Sequence, residues 1–139
     1  MYTYTAERVI KKPASEVFAF LSDATKQTQW VHGVDRCEWR DAGSTGLGAV
    51  AEQSMTFMGK NRIAKMTVVD YQPGKRVMFE KEYPFKIRFG FELEERDGAT
   101  HVRYPVEMEP RGFFRVIIPL VGKKTINGDL DRIAKAIES

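Results

Sequence analysis

Residues 86–109 read KIRFGFELEERDGATHVRYPVEME, and their alternation decides the fold class. Ile87, Phe89, Phe91 and Leu93 share one parity, and Lys86, Arg88, Glu92 and Glu94 share the other. Past Asp97-Gly98, a pair suited to a tight hairpin turn, Val102, Tyr104, Val106 and Met108 repeat the pattern against His101, Arg103, Glu107 and Glu109. Successive side chains of a strand point to opposite faces, so the stretch reads as a hairpin with one dry face and one wet face. Working outward, strands are expected at about 34–41, 48–58, 61–72, 75–84, 85–96 and 100–109. Gly43-Ser44-Thr45-Gly46, Gly59-Lys60-Asn61, Pro73-Gly74 and Pro84 supply the turns between them.

A sheet with a dry face needs a cover. Residues 3–11 form one more strand, stopped by Pro13, which cannot donate to a ladder. Val17, Phe18, Phe20 and Leu21 then recur at helical spacing behind Ser15 as a cap. Asp23 caps a second short helix that ends near Trp30 and is broken by Val31-His32-Gly33. At the far end Val116, Leu120, Leu130, Ile133 and Ile137 are read as one stripe of a long helix. Pro119 and Asn127-Gly128 are places where that helix could divide. The expected fold class is α+β, in the order β-α-α-β6-α.

Composition narrows the function classes. With 139 residues and 42% hydrophobic content, the chain suits one packed domain over 1–139. Cys37 is the only cysteine, which excludes a disulfide framework and a thiolate metal cage. The longest apolar run, 116–121, is far below the roughly 20 residues of a spanning helix. The opening residues, with Glu7, Arg8, Lys11 and Lys12, do not read as a signal peptide, and a cytoplasmic location is expected. Net charge is +3 but uneven: residues 111–128 carry +4 and no acid, leaving −1 for the remainder. Aromatics sit on the dry parity and not among exposed cations, so a nucleic-acid stacking platform is not expected.

Three stretches carry a resemblance that spans the chain. They are Ile10-Lys11-Lys12-Pro13-Ala14-Ser15-Glu16-Val17-Phe18-Ala19-Phe20-Leu21-Ser22-Asp23 running to Trp30, Val68-Val69-Asp70-Tyr71-Gln72-Pro73-Gly74-Lys75-Arg76, and Gly98-Ala99-Thr100-His101-Val102-Arg103-Tyr104 followed by Glu109-Pro110-Arg111-Gly112-Phe113. In this order they resemble the SRPBCC, or START-like, helix-grip superfamily, closest in pattern to bacterial polyketide cyclase/dehydrase-like and lipid-transport-like proteins. The resemblance implies a curved antiparallel sheet wrapped around a long C-terminal helix. It also implies an apolar cavity between the two.

Parity assigns the expected lining to Met55, Phe57, Val77, Phe79, Phe89, Phe91, Val102, Tyr104 and Val106. Trp30 stands near one end, with Phe113, Val116, Ile117 and Leu120 on the helix side. The same residues can instead pack on one another and fill the space. Tyr104 is the best polar contact, because its hydroxyl needs a partner on the dry face. His32 and His101 read as surface residues, Cys37 as structural, and neither a metal nor a cofactor is implied. The stretch Gly43-Ser44-Thr45-Gly46-Leu47-Gly48 lacks the ending of a phosphate loop and precedes a strand, so it reads as a connection.

Residues 111–124 stand apart, combining Arg111, Phe114, Arg115, Ile118, Lys123 and Lys124 with more apolar side chains than one buried stripe can hide. They form a candidate membrane-touching or gating lip, or a buried contact with a second copy as a homodimer. The expected function is binding, transport or sensing of a hydrophobic or amphipathic small molecule or lipid. Two alternatives stay open: a metal-free cyclase or dehydratase using the same cavity, and an interaction module docking through residues 113–121.

Overall fold

The computed structural model describes residues 1–41 and 46–139, with the side chain of Phe57 left out. The expected turn at 43–46 therefore lies almost wholly outside the described residues. Seven strands form one antiparallel sheet: β1 (Tyr2–Ile10), β2 (Val34–Trp39), β3 (Val50–Phe57), β4 (Lys60–Gln72), β5 (Arg76–Lys81), β6 (Lys86–Arg96) and β7 (Ala99–Glu109). Their spatial order is β1-β7-β6-β5-β4-β3-β2. Consecutive strands from β2 to β7 are neighbours, and β1 closes onto β7, with Tyr2 opposite Met108 and Ile10 opposite Thr100. Register shifts at Val34/Arg36 and Val68/Asp70 mark bulges, which bend the sheet and raise its twist.

Helix α1 (Ala14–Leu21) buries Val17, Phe18 and Leu21. Its cap differs from expectation. Pro13 occupies the N-cap and makes no side-chain bond, while Ser15 lies inside the helix. The Ala14 N–H instead donates to Glu95 Oε1 of β6 at 2.6 Å, so the sheet supplies the missing acceptor. A short 3-10 helix (Ala24–Gln29) follows, with Asp23 accepting from the Thr25 N–H at 3.0 Å.

Helix α2 (Phe114–Glu138) is continuous through Pro119 and Asn127-Gly128. At 1.5 Å per residue its 25 residues span about 38 Å. Its buried side is Gly122, Ile126, Asp129, Leu130, Ile133, Ala134 and Ile137, and Phe114 and Ile118 pack partly buried against the core. Asn127 Nδ2 donates to the Tyr4 hydroxyl at 3.0 Å, Arg8 pairs with Asp131, and Arg132 Nε donates to the Trp30 carbonyl at 2.9 Å. The helix is thus tied to β1 on one side and to the end of the 3-10 helix on the other.

This arrangement corrects the phase of the expected stripe. Phe113, Val116 and Leu120 are 62, 65 and 76% exposed, and Ile117 is half-buried. The buried seam descends from Ile126 in steps of four, through Gly122 and Ile118 to Phe114. Positions 116 and 120 lie two residues from that seam, about 200° around the helix at roughly 100° per residue. Gly122 shows why the sequence misleads. A Cβ built there would sit 2.7 Å from the Tyr2 ring, so the seam needs its smallest residue where a hydrophobic pattern looks for a large one.

Candidate functional site

Aromatic rings build the centre of the concave face. Trp30 meets Phe89, Phe91 and Tyr104 edge-on at centroid distances of 6.2, 5.7 and 6.0 Å, and Phe91 stacks on Tyr104 at 4.9 Å. Phe79 stacks on Phe89 at 5.3 Å. Val77, Phe79, Phe91 and Val102 are fully buried in this packed region and are not in the wall of the cavity beside it.

What remains is a cavity of about 130 Å³ between sheet and helix. Of the expected residues, Trp30, Phe89, Tyr104 and Val106 border it, with Val31, Ile87, Met108 and Ile126 completing the apolar wall. Phe113, Val116, Ile117 and Leu120 do not, because the seam of α2 turns them elsewhere. Larger hollows of about 590 Å³ beside Ile63 and Tyr83 and 640 Å³ beside His32 and Lys124 are walled mostly by exposed or half-buried side chains. Of these three hollows, the small one is bounded mostly by buried residues.

Its polar groups stand at positions that parity assigns to apolar side chains. Gln53, Lys81 and Asp129 all border the space. Lys81 continues the inward series Val77-Phe79 on β5, and Gln53 precedes Met55 on the inward parity of β3. Asp129 lies three residues after Ile126 on the buried seam. The signal was therefore in the sequence: three polar residues stand at positions whose neighbours in phase are apolar.

Their bonds form two clusters. Lys81 Nζ donates to Gln53 Oε1 at 2.9 Å and lies 3.7 Å from Met55 Sδ. Gln53 Nε2 donates to Gln27 Oε1 at 2.6 Å, and Gln27 Nε2 reaches Met66 Sδ at 3.5 Å. On the helix side, Arg132 donates to Asp129 Oδ1 at 2.5 Å and the Tyr104 hydroxyl to Oδ2 at 3.2 Å. Among the described residues no carboxylate lies within ion-pair distance of Lys81. Such burial without a partner is rare for lysine.

Burial sets the protonation of the site. It lowers the Lys81 pKa to about 8, with Cys37 and Asp129 opposing. It raises Asp129 to about 6, against the lowering pull of Arg132, Tyr104 and Lys81. Tyr104 is pushed well above its ordinary range by burial and by the Asp129 charge. The Cys37 thiol is raised to about 11, chiefly by burial, which keeps it protonated and unreactive at neutral pH.

Comparison with known proteins agrees with this architecture. Residues 1–138 match the family model described as polyketide cyclase / dehydrase and lipid transport. The chain belongs to that family. It is of the SRPBCC, helix-grip type. Among solved structures it is similar to Ara h 8.0201, with 17% identity, 98% of this chain and 97% of that chain covered, and a TM-score of 0.74. Protein CV1439 from Chromobacterium violaceum gives 14% identity, coverage of 100 and 99%, and a TM-score of 0.74. Major latex-like protein 151 from Panax ginseng gives 13%, 99 and 98%, and 0.72. These likenesses establish the fold. No curated protein matches at the sequence level. Family and fold fit a domain that binds hydrophobic ligands, and no helix among the described residues is long and apolar enough to cross a membrane.

Proposed function

We propose that the protein binds a small amphipathic molecule, about one substituted ring in size, in the cavity between sheet and α2. Its apolar body lies against Trp30, Phe89, Val106 and Ile126, and an acceptor oxygen meets Lys81. The observation that carries this reading is Lys81 itself, an amine only 6% exposed that borders a largely apolar cavity and, among the described residues, has no carboxylate within ion-pair distance. An ammonium has three donors, and Gln53 Oε1 is its one strong acceptor. An anionic or carbonyl oxygen on a ligand supplies the next. The volume favours a ring over a long-chain lipid, since an apolar protein cavity of about 150 Å³ holds benzene and drug-sized ligands take roughly 300 Å³ or more.

Trp30 in the wall gives the assay. In a Trp39→Phe background, benzoate is expected to change Trp30 emission saturably. Lys81→Met then weakens benzoate about tenfold or more, the value of a hydrogen bond to a charged group. The same change moves benzyl alcohol far less. No saturable response to either compound overturns the reading, as does a Lys81→Met variant that treats both as the parent does.

A second observation supports contact with an anionic bilayer. Phe113, Val116, Leu120 and Val121 are exposed on the first turns of α2. Arg111, Arg115, Lys123 and Lys124 are exposed beside them, and none forms an ion pair among the described residues. Each basic residue held near an anionic membrane contributes about 1 kcal/mol. A second copy fits less well, because a two-fold contact would bring four cations from each copy together. Co-sedimentation with phosphatidylserine vesicles, lost on phosphatidylcholine and in an Arg115→Glu, Lys123→Glu, Lys124→Glu variant, is the expected result. Equal binding by both proteins, or none by either, removes the idea.

A further inference from the structure

The cavity holds more chemistry than the capture of a polar end requires. An amine, a carboxyl group and a phenol share about 130 Å³ of otherwise apolar space. The amine is oriented. Gln27 accepts from the Gln53 amide nitrogen, which turns the Gln53 carbonyl toward Lys81 Nζ. That carbonyl is a neutral partner, so it positions the nitrogen without fixing its charge. The carboxyl group is oriented too, with Arg132 on Oδ1 and Tyr104 on Oδ2.

Resting on the small-molecule reading above, we propose that Lys81 captures small apolar aldehydes or ketones as a reversible imine, with Asp129 moving the proton of the departing water. The neutral Nζ adds its lone pair to the carbonyl carbon, and the C=O π pair moves to oxygen, which takes up a proton while nitrogen gives one up. The resulting carbinolamine loses its hydroxyl as water, using a proton held by Asp129, and the nitrogen lone pair forms C=N. The iminium nitrogen returns its proton to Asp129. One carbonyl and one amine give one imine and one water, with no change of oxidation state. Water re-entering the cavity reverses the sequence.

The groups facing Lys81 are suited to these steps. Burial eases loss of the lysine proton and favours its retention on Asp129, which sets base and acid on opposite walls of one cavity. Arg132 opposes Asp129 protonation and Cys37 opposes Lys81 deprotonation, yet burial is the larger effect for both. A desolvated amine in an apolar pocket is the usual setting of a nucleophilic lysine.

The test is reductive trapping of the full chain with benzaldehyde and cyanoborohydride at pH 7, read by intact mass and peptide mapping. At that pH the neutral fraction of Lys81 exceeds that of an ordinary lysine by a factor of order 10². A benzyl group is therefore expected on Lys81 at least about tenfold faster than on any surface lysine, and benzoate is expected to protect it. Lys81→Arg keeps the charge but cannot form an imine, so it should abolish labelling at this position while the surface lysines keep their slow background rate. Asp129→Asn should slow trapping even at saturating benzaldehyde, where a change in affinity no longer affects the rate. Saturable benzaldehyde binding with label spread evenly over surface lysines overturns the imine and leaves the binding reading standing. Failure of both benzaldehyde and benzoate to bind removes the two together.

Discussion

The two halves of α2 are built from similar residue types and do opposite things. From Gly122 onward the helix drives Ile126, Leu130, Ile133 and Ile137 into the sheet and carries Asp129 to the cavity. Before Gly122 it keeps only Phe114 and Ile118 partly against the core and turns Phe113, Val116 and Leu120 to solvent. Apolar content therefore says little about which half is structural. Phase relative to one seam separates them, and Gly122 against Tyr2 is the point where the seam passes from one half to the other.

The largest expected effect breaks the buried half. Ile133 is fully buried, and Ile133→Ala is expected to cost about 2–5 kcal/mol through lost transfer energy plus the cavity left behind. Urea unfolding measures it. A loss below about 1 kcal/mol would mean that the second half of α2 is not the cover of the sheet.

The ease of reading the sheet and the difficulty of reading the helix share a cause. A strand has a strict period of two, so one clear anchor such as Phe89 sets the phase of its whole strand. Helical phase tolerates more than one stripe when apolar residues cover most of the circumference, as they do from 113 to 121. The site was half legible for a related reason. Trp30, Phe89, Tyr104 and Val106 advertise themselves by type, whereas Gln53, Lys81 and Asp129 are polar residues in inward positions. Their phase among apolar neighbours on β3, β5 and α2 is the signal, and burial agrees with it.

The next effect sharpens the contrast between a half that buries charge and one that exposes it. Lys81 has its folded pKa lowered to about 8 from an ordinary value of 10.5. Between those values the unfolded chain holds the proton and the folded chain does not, so this group's contribution to stability rises with pH across the window. Its size is roughly 3 kcal/mol. Cys37, raised from 9.0 to about 11, acts with the opposite sign in an overlapping range. Because Lys81 and Cys37 also act on each other, the useful quantity is the difference between Cys37→Ala and the Cys37→Ala, Lys81→Met double variant. That difference should move in favour of the lysine-bearing protein by about 3 kcal/mol from pH 8 to 10.5. A flat difference shows that Lys81 reaches solvent.

At the boundary, Gly122→Ala places a Cβ within 2.7 Å of the Tyr2 ring. The expected loss is about 1–2 kcal/mol, the usual range for overpacking less the gain in helix propensity. The Tyr2 hydroxyl is buried and has no hydrogen-bond partner among the described residues, so removing the whole ring end is tolerable. In a Tyr2→Leu background the same Gly122→Ala change should become neutral or stabilising. A cost that persists there would place the obstacle elsewhere than at Tyr2.

The smallest effect is the most telling about the exposed half. Leu120 is 76% exposed, and Leu120→Ser removes an apolar side chain that the folded monomer does not bury. Stability should stay within about 0.5 kcal/mol of the parent, as for surface positions generally. If the bilayer contact is real, the same substitution should weaken phosphatidylserine-vesicle binding measurably while leaving benzoate at the interior cavity unaffected. A large loss of stability in dilute solution would instead reveal that Leu120 is covered by a second copy, and raising the protein concentration would then raise Tm. The two outcomes separate because a membrane-facing residue owes nothing to protein concentration, whereas a dimer contact does. Phe113→Ser, at the start of the same face, should follow Leu120→Ser in both readouts.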